Sequence, residues 1–168
     1  MADWNQIVRA NAAQVLSAAY RVTGNLADAE DVCQEVFSEA YQKWDGDSDQ
    51  KWAGIFKRMS VCRAIDLLRA RKPTQSLDHQ AQELMDRHSS DPVDQAICTE
   101  IQHRLRTLLI RLSERESQVF CLMFFEHQTH DEIATGLGIS RVAVATALSK
   151  ARAKLETGFR MSSSGESK

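Results

Sequence analysis

Glycine and proline are scarce in this chain. Seven glycines and two prolines among 168 residues make about 5%, where roughly 12% is usual. The shortage argues against a turn-rich β protein and for long helices. Long apolar runs are missing too. The longest, Val119–Phe125, falls far short of the roughly 18 residues that span a bilayer, so no membrane partner is expected. The sequence opens Met1-Ala2-Asp3-Trp4 with no basic stretch ahead of an apolar one; no signal peptide is expected, and the expected location is cytoplasmic. Cys33, Cys62, Cys98 and Cys121 form no C-x-x-C pair, which speaks against a structural zinc site and for buried free thiols in a reducing compartment. There is no glycine-rich phosphate loop and no nucleophile elbow. His127-Gln-Thr-His130-Asp131-Glu132 offers metal-type side chains, but its histidines straddle a turn and its acids sit where a helix start favours them. No enzyme, metal or cofactor is therefore expected. A charge excess is also lacking: 21 Lys+Arg against 23 Asp+Glu leave a net charge of −2, which at first excludes a nucleic-acid binder.

The total conceals an alternation. Residues 1–45 carry a net −4, residues 46–72 a net +4, residues 73–100 a net −5 and residues 101–168 a net +3. Two net-positive blocks flank an acidic one, a pattern that points to DNA contact. At 43% apolar and 26% charged, the chain can bury a core.

Apolar spacing predicts three helices in the first half. Trp4, Ile7, Val8, Ala12, Val15, Leu16, Ala19 and Tyr20 repeat at three-and-four spacing. Gly24 ends that helix, and Asn25 can cap the next, whose stripe is Ala29, Val32, Cys33, Val36, Phe37, Ala40, Tyr41 and Trp44. After the Asp45-Gly46-Asp47 turn, a third helix runs to about Lys72. Its stripe drifts from Trp52, Ile55, Phe56 and Met59 to Val61, Ile65 and Leu68, which describes a helix with two surroundings or a bend. Residues 73–91 are polar and bounded by Pro73 and Pro92, and read as a linker.

The second half has strong local signals. Asp91 and Pro92 start a helix with Val93, Ala96, Ile97, Ile101, Leu105, Leu108, Leu109 and Leu112 as its stripe. Ser113-Glu-Arg-Glu116 and Thr129-His-Asp-Glu132 are capping boxes. Leu137-Gly138 ends one helix, Ser140 caps another from Arg141, and Gly158 is expected to close it at about Thr157. The tail after Phe159 is expected to fray.

A short helix from Thr129 to Leu137, a glycine turn and a longer helix match a helix-turn-helix. Val144, Leu148, Ala151 and Leu155 form the inner stripe of the longer helix, leaving Arg141, Val142, Ala145, Thr146, Ser149 and Lys150 outward or flanking. Such a face enters the major groove at its N-terminal part, and Lys150, Arg152 and Lys154 add charge for phosphates. The alternative is a plain helical hairpin with a solvated basic face.

Leu112-Ser-Glu-Arg-Glu-Ser-Gln-Val-Phe120, Asp131-Glu-Ile-Ala134, Leu137-Gly-Ile-Ser140 and Ala151-Arg-Ala-Lys-Leu155 resemble region 4 of a bacterial sigma factor. Asp28-Ala-Glu-Asp31-Val-Cys-Gln34-Glu35-Val-Phe37 and Ala64-Ile-Asp66-Leu-Leu-Arg69-Ala-Arg71-Lys72 resemble region 2. A short chain with only a linker between the two is similar to the extracytoplasmic-function sigma factors. The resemblance implies an all-α fold: residues 1–72 as region 2, 73–91 as an acidic linker, 92–160 as region 4 with its helix-turn-helix, and 161–168 as a disordered tail. It implies core RNA polymerase and promoter DNA as partners, with an anti-sigma factor as a further partner typical of the family.

The implied residue roles follow the faces. Asp31, Gln34 and Glu35 lie opposite the apolar stripe of the second helix and, with Phe37 at its edge, are the candidates for docking on the polymerase. The third helix combines Lys57, Arg58, Arg63, Arg69 and Arg71 with Trp52 and Asp66, a set suited to a melted minus-ten strand, where phosphates need charge and bases need a stacking surface. Core packing is the alternative for Trp52, and an ion-paired row the alternative for Arg63, Asp66 and Arg69. Arg141, Val142, Ala145, Thr146, Ser149, Lys150 and Arg152 are the candidates for the minus-thirty-five duplex. The chain departs from the family pattern at Cys62, where an Asn is usual, at Ile55, where a Trp is usual, at Ser113 for a usual Pro, and at Ala145 and Ala147, where Lys and Arg are frequent. Ala145 and Ala147 are expected to make the base-reading surface small and apolar. The rival functions are a stand-alone helix-turn-helix regulator that binds duplex DNA without polymerase, and an interaction protein whose second half binds a partner.

Overall fold

Each apolar stripe becomes the buried side of a helix. The computed structural model describes residues 3–46, 51–71 and 92–163. Helix α1 spans Trp4–Thr23, α2 Leu26–Gln42, α3 Trp52–Ala70, α4 Pro92–Leu109, α5 Glu114–Phe124, α6 His130–Leu137 and α7 Arg141–Ser163. Every element among the described residues is a helix. The expected linker, together with residues 164–168, lies outside them.

Local chemistry sets the helix ends. The Asn25 side chain accepts from the Asp28 amide at 3.0 Å. Ser113 and Thr129 both form complete capping boxes, with Glu116 and Glu132 reaching back to the cap amides at 3.0 and 2.8 Å. Ser140 accepts from the Ala143 amide at 3.1 Å. Gly24 and Gly138 end α1 and α6 at φ 66° and 65°, in the left-handed region that glycine enters without strain.

In the first half, Val15, Ala19 and Val22 of α1, Val32, Val36 and Ala40 of α2 and Phe56, Val61 and Ile65 of α3 are buried. Trp4 gathers Tyr41, Trp44 and Trp52 around it at centroid distances of 5.3, 5.5 and 5.8 Å. In the second half Leu109, Val119, Leu122, Ile133, Val144 and Ala151 are buried. The two sets join in one apolar cluster, because α3 packs on α1 and α2 and also on α5 and α6. The drift of the α3 stripe therefore marks a helix with two surroundings.

Some expectations need correction. Gly158 does not end α7, which continues to Ser163 and so includes the first residues of the expected tail. A Cβ at Gly158 would stand 2.4 Å from Leu108 Cδ2: this glycine lets α7 approach α4 closely. Ile97 and Ile101, placed on the core stripe of α4, are 53% and 49% exposed; among the described residues α4 meets α7 further along, at Arg104 and Leu108, and Leu108 and Leu109 are buried. All four cysteines are free, but burial is complete only for Cys121, and Cys98 is exposed.

Candidate nucleic-acid and polymerase interfaces

Helix α7 is held from beneath and bare above. Val144, Leu148, Ala151 and Leu155 are buried, and so is Ala147. Ala147 thus belongs to the core side, not to the base-reading surface, and of the two small departures Ala145 alone faces out. Arg141, Val142, Thr146, Ser149, Lys150 and Arg152 are likewise exposed, Val142 at 75%. Arg141 lies 3.4 Å from Asp131 of α6, and the Arg152 guanidinium sits 5.2 Å over the Phe124 ring. Lys154 behaves differently. Its Nζ donates to both oxygens of Glu116 at 2.9 and 2.8 Å, tying α7 to the start of α5. That ammonium first, and then the Ser113 amide, holds the Glu116 carboxyl below the usual carboxylate range.

Helix α3 and the end of α2 enclose a half-open cleft of about 570 Å³, lined by Glu39, Lys43, Trp52, Arg58, Cys62, Arg63 and Asp66 among others. Glu39 accepts from Lys43 and Arg63, each at 2.6 Å, and these two cations lower its pKa. A shallower depression of about 530 Å³ shares Glu39 and Arg63 and is lined also by Gln34, Glu35, Ser38 and Gln42. The Glu39–Arg63 pair stands between the two. Burial pushes the Cys62 thiol up to about 11, so it is protonated and unreactive at neutral pH.

Two family models match this architecture half by half. Residues 7–74 match Sigma-70 region 2 and residues 102–155 match Sigma-70 region 4. The chain belongs to the sigma-70 family. Its relatives include the RNA polymerase sigma-E factor of Streptomyces avermitilis, 27% identical over 91% of this chain and 83% of that protein. Another is the ECF RNA polymerase sigma factor SigW of Bacillus subtilis, 26% identical over 88% and 83%. A third is the sigma-E factor of Streptomyces coelicolor, 28% identical over 91% and 84%. The chain is thus a sigma factor of the extracytoplasmic-function group, acting in transcription initiation.

The sigma factor's candidate residues fall into distinct settings. On α2, Asp31, Gln34 and Glu35 are exposed, while Phe37 turns inward onto Phe56 at 5.1 Å. On α3, Trp52, Arg58, Arg63 and Asp66 share the cleft. Trp52 is only 8% exposed and stacks on Phe56 at 5.3 Å, so the packing reading describes this ring. Arg63 is ion-paired to Glu39 rather than in a row with Asp66 and Arg69. Arg69 donates to the Leu112 carbonyl at 2.9 Å, Arg71 pairs with Asp28, and Lys57 is half-buried. Glu39 and Lys43 were missed as cleft residues. Glu39 follows Glu35 by one turn, and the pair Glu39, Lys43 has the i, i+4 spacing of a helix ion pair, so a signal for both was present.

Proposed function

We propose that this sigma factor docks on core RNA polymerase through the outer face of α2, holds the melted minus-ten strand along the α3 cleft and reads the minus-thirty-five duplex with α7. The observation that carries the proposal is the division of α7. A buried stripe fixes the helix on its own half, and all seven residues assigned to the duplex lie on the exposed remainder. The polar depression along α2 supplies a surface that the core of the fold does not use. The relatives' names, which place them with RNA polymerase, support the same partner here. Residues 1–72, 73–91 and 92–160 are accordingly proposed as region 2, linker and region 4. The chain is proposed to be regulatory rather than catalytic, to work in the cytoplasm beside the polymerase, and to be open to an anti-sigma factor.

Run-off transcription with purified core polymerase on a random promoter library tests this. The expected result is product that depends on the added chain, from templates sharing two elements at a constant spacing. Arg141→Ala with Lys150→Ala should lower output at least about tenfold. Output equal to that of core alone would overturn the reading, and tight retardation of duplex DNA by the chain without polymerase would favour a stand-alone regulator.

A further inference from the structure

An arginine is electrostatically misplaced at the start of α7. Arg141 follows the cap Ser140 and opens the helix, where the positive end of the helix dipole disfavours a cation. The first turn of α7 holds no acid to offset it. The acid comes from α6: Asp131 Oδ1 lies 3.4 Å from Arg141 Nη1. Asp131 is not needed for the α6 cap, because Glu132 closes that box by accepting from the Thr129 amide at 2.8 Å. The Asp131 side chain is 71% exposed and that of Arg141 70%, so the pair lies on the open surface of the helix-turn-helix. An ion pair this exposed adds little to stability. What it sets is the direction of the guanidinium.

Arg141 also stands apart from the other cations of that surface. Of Arg141, Lys150 and Arg152 on the exposed face of α7, only Arg141 forms an ion pair among the described residues; Arg152 is held over the Phe124 ring instead. In the first two turns of α7 the exposed residues are Arg141, Val142, Ala145 and Thr146. Val142 and Ala145 carry no side-chain donor and Thr146 a single hydroxyl, so a fork of donors at this end of the helix comes from Arg141 alone.

In the major groove the commonest specific contact is an arginine fork on guanine O6 and N7. Asp131 stands at the Nη1 side of Arg141, which leaves the edge formed by Nη2 and Nε for a base. An unheld arginine is satisfied by any phosphate within reach, and a phosphate contact carries no sequence information. A carboxylate beside Nη1 repels phosphate and competes for the donors that a phosphate would take, while the two acceptors of guanine meet the opposite edge. Both effects favour one base over the backbone. We infer that Asp131 is a positioning residue for base reading: it holds Arg141 so that its free edge pairs with a guanine in the upstream duplex. That α7 meets this duplex rests on the function proposed above; the ion pair itself does not.

A promoter library randomised at the upstream element tests this in two selections. One sequences run-off products made with core polymerase; the other sequences duplexes retained at low salt by the chain alone. The wild-type chain should show one position with a strong guanine preference. Asp131→Asn removes the charge, keeps the shape and leaves the Thr129–Glu132 capping box intact. It should lower that preference about fivefold or more, spare the other positions and leave retention of mixed-sequence duplex undiminished. Asp131→Glu should recover part of the preference. Arg141→Lys keeps the charge, loses the fork and should abolish the preference; in that background Asp131→Asn should change base choice no further. An unchanged guanine preference in Asp131→Asn, a loss spread over every position, or an equal effect of Asp131→Asn beside Lys at 141 would overturn the positioning role, as would a wild-type chain with no guanine-selective position. Guanine selection by the chain alone, without run-off product, would overturn the proposed function and keep this inference. Chain-dependent product whose base preferences ignore both substitutions would do the reverse.

Discussion

At the scale of single residues, Glu116 does three things at once. It completes the capping box of α5, it is only 5% exposed, and it holds Lys154 of α7. Its pKa is lowered chiefly by that lysine. A carboxyl with a lowered folded pKa contributes stability that is present above the unfolded value of about 4.3 and is lost as pH falls through the folded one. Lys154→Met should therefore cost about 1 kcal/mol at neutral pH, the modest figure reflecting a lysine half open to solvent. The loss should shrink toward zero only as the pH falls through the lowered folded value, below which Glu116 is protonated in either chain. Urea midpoints of the two chains at neutral and acid pH measure this. An equal loss at both would mean that the lysine acts through packing alone.

At the scale of elements, α7 shows which parts of the fold were legible in the sequence. Ser140, Gly138 and the stripe Val144, Leu148, Ala151, Leu155 were readable because caps, turns and apolar faces are local patterns. Ala147 and Gly158 were not. Both are small residues whose meaning lies in what approaches them, and the approach of Leu108 to Gly158 comes from α4. Lys154 was read with Lys150 and Arg152 as one basic set, because sequence shows charge but not the partner that engages it. The structure leaves Arg141, Lys150 and Arg152 on the exposed face, with Lys154 committed to Glu116. Three phosphate contacts give a slope of log affinity against log salt near about −2.7 for a mixed-sequence duplex. Lys150→Ala should reduce its magnitude by about 0.9, and Lys154→Met should leave it unchanged. Fluorescence anisotropy across a salt series checks both. A wild-type slope nearer about −3.6 would show Lys154 leaving Glu116 for the DNA.

At the scale of the whole molecule, the near-zero net charge acquires a structural meaning. The basic block 46–72 pairs with the acidic block before it, Arg63 with Glu39 and Arg71 with Asp28, and Arg21 pairs with Glu126 of the second half. Arg21 and Glu126 are 105 residues apart, so no spacing rule could have disclosed that contact, and each half read by itself looks complete. Halves that share one apolar cluster and exchange arginines across it should unfold together. Calorimetry of the wild-type chain is expected to give one transition, with van't Hoff and calorimetric enthalpies nearly equal. Arg106 of α4 donates to the Val22 carbonyl in the last turn of α1 at 3.2 Å. Arg106→Met removes that guanidinium without touching either apolar core, so it should weaken the coupling more than it weakens either half. The transition should broaden or split and the enthalpy ratio should fall below one. Two separate transitions in the wild-type chain would mean that the contacts between the halves are too weak to couple them, and that each half keeps its own stability.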